Sequence, residues 1–188
     1  VGSLTPLQLE RQIDEDFKDK FSIYEDISHS YVYMGMNLED EKFQDKRVRK
    51  ALSYAIDRDA LVDILYFGHG QVCHGPFLPG TGAFNKEVKS PKQDIKKAKA
   101  LLESAGYDAQ NPFEFTLVTS AGSSGSYAAQ VLQHQLRQAG IKMKLRVMEW
   151  QAFLNTVVQP RNFEAVLMAW SMSLKPDAYS IWHSESRR

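Results

Sequence analysis

The sequence predicts an α/β domain, and three observations carry that expectation. Residues 113–170 alternate between the two hydrophobic periods in the order strand, helix, strand, helix, strand. One of those segments, FEAVLMAW at 163–170, is almost continuously apolar, as a strand covered on both faces must be. The 188 residues are 43% hydrophobic and 24% charged, which suffices for the core of one ordinary globular domain or two small ones. Alternating units of this kind favour helices layered on a sheet with right-handed crossovers, and they leave a mixed sheet as open as a parallel one.

The elements follow in order. Thr5 and Pro6 open a first helix running to about Phe17, with Thr5 as cap and Pro6 at the first helical position, although Leu7, Leu9 and Ile13 give it only a thin apolar edge. Phe21, Ile23 and Tyr24 suggest a short strand. YVYMGMN at 31–37 is a better one, rich in β-favouring residues, and the two can pair. Val48, Ala51, Leu52, Ala55 and Ile56 recur at spacings of three and four, opposite Lys46, Arg47, Arg49 and Lys50, which is the pattern of a docked amphipathic helix. Asp57 caps a second helix with Ala60, Leu61, Ile64 and Leu65 on its apolar face and Gly68 as its stop. The glycine-rich residues 68–85 form a long loop. Asp94 then caps a helix carrying Ile95, Ala98, Leu101, Leu102 and Ala105, and Gly106 ends it. Phe113, Phe115 and Leu117 alternate with polar residues in a strand. Ala128, Val131, Leu132, Leu136 and Ala139 face the core from the next helix. Ile141, Met143, Leu145 and Val147 alternate with Lys142, Lys144 and Arg146 in a strand with one wet face. A short helix over 150–158 precedes the apolar strand.

Lys plus Arg and Asp plus Glu number 23 each, so no global field draws the chain to nucleic acid or an anionic membrane. The basic face of Lys142, Lys144 and Arg146 lacks interleaved aromatics and reads as a solvated strand face, against a nucleic-acid partner. A single cysteine, Cys73, closes no internal disulfide and leaves the redox compartment open. No apolar run reaches the roughly 18 to 20 residues that cross a bilayer, and the first residues do not have the pattern of a signal peptide.

Three places offer chemistry. His69, Cys73 and His74 carry metal-ligand types, but their spacing matches no closed zinc pattern, and a loop histidine pair with a buried thiol is the plainer reading. A metal-dependent hydrolase built on these and His183 is a remote alternative; no catalytic residue, metal site or cofactor is assigned. The serine- and glycine-rich TSAGSSGS at 119–126 leads into a helix N-terminus but lacks both the P-loop ending and the dinucleotide glycine spacing, so it reads as a strand-to-helix connection. The third is AWSMSLKPDAYSIWHS at 169–184, leaving the end of the apolar strand. It joins tryptophans and a tyrosine to serines, an acid and a base, the mixture of apolar wall and few polar anchors found in ligand sites. The competing reading puts Trp170 and Trp182 in the core and leaves Asp177 to a turn after Pro176.

MNLEDEKFQDKRVRKALSYAIDRDALVDILYFGHG, then GPFLPGTGAFN, QDIKKAKALLESAGY, QLRQAGIKMKLRVMEW and FEAVLMAWSMSLKPDAYSIWHS occur in this order between Met36 and Ser184, within a likeness that runs from about Tyr31 to Ser184. Together they resemble extracellular solute-binding protein family 5, which serves ABC importers of peptides and nickel, and more narrowly its oligopeptide/dipeptide-binding group. The resemblance implies one lobe of a periplasmic-binding-protein-like class II clamshell, a mixed sheet flanked by helices. It places residues 1–188 in most of the second lobe of a longer secreted protein, with the other lobe and a C-terminal segment outside these residues.

That resemblance further implies a peptide ligand, an ABC permease as membrane partner, a monomeric full-length protein, and a place at the extracellular face of the membrane or in the periplasm, with a lipid anchor in some members. Closure of two lobes on an extended peptide would make binding a shift between open and closed populations, so a single lobe is expected to bind weakly or not measurably. The loop following the apolar strand commonly meets the peptide in this family through backbone groups and an acid that pairs with the α-amino group. Here that loop assigns Trp170, Ser171, Met172, Ser173, Leu174 and Asp177 as ligand-binding residues. Many relatives have Asp-Pro-Asp where this chain has Lys175-Pro176-Asp177, which leaves Asp177 as the acid and bears on ligand charge. Another solute, a nickel chelate or an oligosaccharide, is the alternative within the family.

Overall fold

A computed structural model describes residues 4–172 together with 177, 179, 183 and 185. The helices are α1 (Pro6–Gln12), α2 (Glu15–Lys20), α3 (Glu41–Gln44), α4 (Lys46–Ala55), α5 (Arg58–Tyr66), α6 (Ile95–Ser104), α7 (Ser123–Gln138) and α8 (Trp150–Phe153); α8 runs into one π-helical turn, Leu154–Val158. The strands are β1 (Ser30–Met36), β2 (Glu114–Ser120), β3 (Lys142–Met148) and β4 (Ala165–Ser171). They form one mixed sheet in the order β1-β4-β2-β3. β2 runs parallel to both β3 and β4, and β1 runs antiparallel to β4.

Side chains that alternate along each strand send the sheet's two faces into two separate cores. Phe115 and Leu117 of β2, Met143 of β3 and Ala165 and Leu167 of β4 meet Val48, Ala51 and Leu52 of α4, Ala98 and Leu102 of α6 and Leu132 and Leu136 of α7. Phe43 lies fully buried in this core, its ring edge-on to Phe113 and Phe115 at 5.7 and 5.6 Å. The opposite face is smaller: Val118 and Val166 pack on Phe153 and Val157, with Met148, Phe163 and Met168 around them.

Aspartates set the helix starts as the sequence requires. Asp45, Asp57 and Asp94 have extended backbones, and each carboxylate accepts from an N–H of the first turn: Arg47, Ala60 and Lys97. Arg58 then ties the α4–α5 corner down, its guanidinium donating to the Ser53 and Pro91 carbonyls and the Ser53 hydroxyl.

Four sequence expectations are corrected. The first helix is broken into α1 and α2, because Asp14 caps a new helix by accepting from the Phe17 N–H. Phe21, Ile23 and Tyr24 form no strand; they are exposed, and β1 takes β4 as its partner. The stop of α5 is Phe67 itself, in the left-handed conformation at φ 54°, one residue before Gly68 at φ 82°. And the apolar strand is central in the sheet yet buried only through Leu167, with Ala169, Trp170 and Ser171 exposed.

Candidate functional site

β2, β3 and β4 point the same way, so their carboxyl ends, Ser120, Met148 and Ser171, gather at one end of the sheet. Chain segments leaving this end of an open α/β sheet are free of the hydrogen-bonding demands of the ladder, which makes it the usual place for ligands. Trp150, at the start of α8 directly beyond β3, is exposed there, and the bend at Ala121–Gly122 leads from β2 into α7. Gly122 offers α7 no side-chain cap. Glu149 caps α8, and the N–H groups of Gln151 and Ala152 hold its carboxyl below the ordinary range.

The last part of β4 is built differently from the rest. β2 pairs with β4 only from Ala165 to Leu167, whereas β1 pairs with it along its whole length, from Met36↔Ala165 to Ser30↔Ser171. One further bond, from the Met172 N–H to the His29 carbonyl at 2.7 Å, extends that ladder past the strand. Residues 169–171 therefore have a strand neighbour on one side only among the described residues. Among the described residues no strand pairs with their other backbone edge, a geometry suited to receiving an extended segment as an added strand.

Trp170 lies opposite Tyr31 in the β1–β4 register, and Met168 opposite Tyr33. Directly opposed residues share a face of the sheet, so aromatic and thioether side chains form a short apolar strip beside the open edge. Tyr31 is buried, Tyr33 is partly buried with its hydroxyl 4.0 Å from the Met168 sulfur, and Trp170 remains 38% exposed.

Of the predicted ligand residues, Trp170, Ser171 and Met172 come together at this end of β4. Ser173, Leu174 and Lys175 lie outside the described residues, as does Trp182. Asp177 is exposed and accepts from the Tyr179 N–H at 2.9 Å. Beyond it the Tyr179 ring stacks on His183 at 4.3 Å, and the Tyr179 hydroxyl donates to Glu185 at 2.6 Å. The contribution of β1 is not legible in the sequence. Its signal was the aromatic pair Tyr31 and Tyr33, which alternation alone assigns to a strand face without saying which strand lies opposite.

The other candidates separate. His69 lies between Glu10 and Glu25, the Cys73 thiol donates to the Gly75 carbonyl at 2.8 Å, and His74 Nδ1 accepts from the Ser90 N–H at 3.1 Å. Each has its own partner, and no group of three or more His, Cys, Asp or Glu among the described residues is placed to hold a metal ion. Lys142, Lys144 and Arg146 do form a wet strand face, with Glu114 beside Lys142 and Lys144 at 3.0 and 3.6 Å. No helix of the described residues is long and apolar enough to cross a membrane.

Comparison with known proteins agrees with this architecture. The chain is similar to the oligopeptide-binding protein AppA of Bacillus subtilis strain 168, at 37% identity over 90% of this chain and 35% of that protein. The structure of B. subtilis AppA in complex with a nonapeptide superposes with a TM-score of 0.80 at 36% identity, covering 87% of this chain and 35% of that one. The periplasmic binding protein DppA of Helicobacter pylori, in complex with the peptide STSA, gives 0.74 at 28% identity over 83% of this chain and 30% of that one. NikA of Staphylococcus aureus, in complex with Ni(L-His)2, gives 0.67 at 28% identity over 77% and 30%. The chain thus spans about a third of the length of these relatives. Residues 1–187 match the family described as "Bacterial extracellular solute-binding proteins, family 5 Middle". By that match and by its likeness to AppA, the chain belongs to family 5 of the bacterial extracellular solute-binding proteins.

Proposed function

We propose that this chain is one α/β lobe of the substrate-binding component of an ABC importer that captures oligopeptides or dipeptides outside the cell. The observation that carries the reading is the likeness, over 87% of the chain, to AppA solved with a nonapeptide. The open backbone edge at 169–171 supports it physically, because an extended peptide is the ligand that can continue a β ladder. Trp170, Ser171, Met172, Ser173 and Leu174 supply wall and backbone groups in this reading, and Asp177 pairs with the peptide's α-amino group.

The full-length protein binds without chemical conversion and hands the peptide to a membrane permease. It works as a monomer, secreted to the periplasm or the outer face of the membrane and held there in some organisms by a lipid anchor. Ligand contacts divided between two lobes would drive closure, so the 188 residues alone bind peptide weakly.

Calorimetry of the full-length protein against a peptide library, with Asp177→Ala in parallel, tests the reading. Saturable peptide binding that Asp177→Ala weakens supports it. Equal affinity in the variant removes Asp177 from the site, and no peptide binding by the full-length protein removes the function. A second reading rests on the likeness to NikA: the ligand is a nickel–histidine chelate. Titrating the same protein with nickel and L-histidine separates the two.

A further inference from the structure

α1 and α2 bury no residue, and Phe21, Ile23, Tyr24 and Ile27 between α2 and β1 are exposed, so apolar packing holds residues 4–28 only loosely. Among the described residues, three contacts reach from this segment to the end of α5. The Arg11 guanidinium lies over the Phe67 ring, 5.7 Å from its centre. His69 is bracketed by acids, with Nε2 2.9 Å from Glu10 Oε1 and Nδ1 3.0 Å from Glu25 Oε1.

A carboxylate can only accept, so both ring nitrogens must donate, and an imidazole with two N–H groups is the imidazolium. A neutral ring would satisfy one acid and turn a lone pair toward the other. The His69 backbone is itself anchored, its N–H donating to the Tyr66 carbonyl at 2.8 Å across the left-handed turn at Phe67 and Gly68. Its side chain is only 23% exposed, which strengthens charge-assisted bonds over those of a fully hydrated pair.

We propose that His69 is a proton-operated latch: its imidazolium clasps α1 through Glu10 and the 21–29 stretch through Glu25 onto the end of α5, and loss of that proton releases the N-terminal segment. The charged groups facing the ring are Glu10 from α1 and Glu25 from the connecting stretch; Arg11 of α1 is occupied by Phe67, and the Tyr66 carbonyl takes the His69 backbone N–H rather than the ring. The hydrogen bonds to Glu10 and then Glu25 hold His69 above its ordinary 6.5. A group raised in the docked state stabilises docking fully below its ordinary value and loses that contribution as pH climbs through the raised one. Between the two values the docked-to-released ratio falls by up to about tenfold per pH unit.

The test is an NMR titration of His69 in the full chain, with amide exchange of residues 4–28 followed from about pH 5.5 to about pH 9 and corrected for its intrinsic pH dependence. His69 should titrate above its ordinary value, and protection of residues 4–28 should fall with the same midpoint. His69→Gln should leave these amides fast-exchanging at every pH. Glu10→Gln with Glu25→Gln, at side chains 46% and 61% exposed and so unneeded for folding, should return His69 to its ordinary value and flatten the exchange profile. An ordinary titration in the unsubstituted chain, or protection that does not follow it, overturns the latch.

Discussion

Gln135 grips the backbone of Asp57 with both ends of its amide: Oε1 accepts from the Asp57 N–H at 3.1 Å, and Nε2 donates to the Asp57 carbonyl at 3.2 Å. Gln135 is 5% exposed on α7, and Asp57 is the corner where α4 gives way to α5. One side chain thereby fixes a helix junction to the helix beside the sheet. Gln135→Ala would leave the Asp57 N–H without that acceptor, while its carbonyl keeps the Leu61 N–H at 3.3 Å. A buried donor stripped of its partner costs about 1–3 kcal/mol. Urea unfolding should show a loss of that size with an unchanged slope, and a loss below about 0.5 kcal/mol would mean that water replaces the amide.

Phe43 is the side chain around which the larger core closes. It has no exposed surface, and Phe113 and Phe115 present their rings edge-on to it. Truncating Phe43→Ala removes both aromatic contacts and opens a cavity that α4 and the sheet cannot fill by collapse, at a cost of about 3–5 kcal/mol. Phe43→Leu should recover most of that, since volume rather than ring chemistry supplies the larger share. Denaturant midpoints for the two variants would show the order, and equal losses would contradict it.

Glu164 stands at the start of β4, where its carboxylate accepts from the Lys42 ammonium and, at 2.6 Å, from the Thr116 N–H of β2. Burial opposes its ionisation, but these bonds outweigh burial and hold the carboxyl below the ordinary range. Because the folded value is lowered, its contribution is present above the unfolded value near 4.5 and is lost as pH falls through the folded one. Glu164→Gln keeps an acceptor for Thr116 and abolishes the charge. Its stability should therefore fall less steeply than that of the unsubstituted chain below pH 4.5. Parallel acid-limb curves would exclude Glu164 as a source of that slope.

What the sequence reveals depends on how local the cause is. Asp57 and Asp94 cap helices through atoms three residues away, so their roles are legible from spacing alone. The wet face of β3 is likewise a matter of alternation. Sheet order is not local: nothing in YVYMGMN states that Tyr31 will lie opposite Trp170, some 140 residues later, and the exposed Phe21 and Ile23 imitate a strand because composition is blind to the absence of a partner. The same limit applies to the site. FEAVLMAW reads as uniformly buried, yet its last residues outrun β2 and emerge into solvent, an outcome set by relative strand length.

Trp170 is where that emergence would bear on the proposed peptide binding. With 38% of its surface exposed and its place in the ladder secured by backbone bonds to β1, its indole is only partly committed to the fold. Trp170→Ala should lower the unfolding free energy of the chain by no more than about 1 kcal/mol, the worth of the cross-strand pair with Tyr31. In the full-length protein it should weaken peptide binding roughly tenfold, the effect of truncating an aromatic contact within an interface. Val32→Ala serves as the control: it is 48% exposed on the same pair of strands but, alternating with Tyr31 and Tyr33, faces the other side of the sheet, so it should leave affinity unchanged. Calorimetry decides between two uses of the β4 end. If both variants bind peptide as tightly as the parent, the apolar strip has no part in recognition, and the proposed contact would be left to the backbone of residues 169–171.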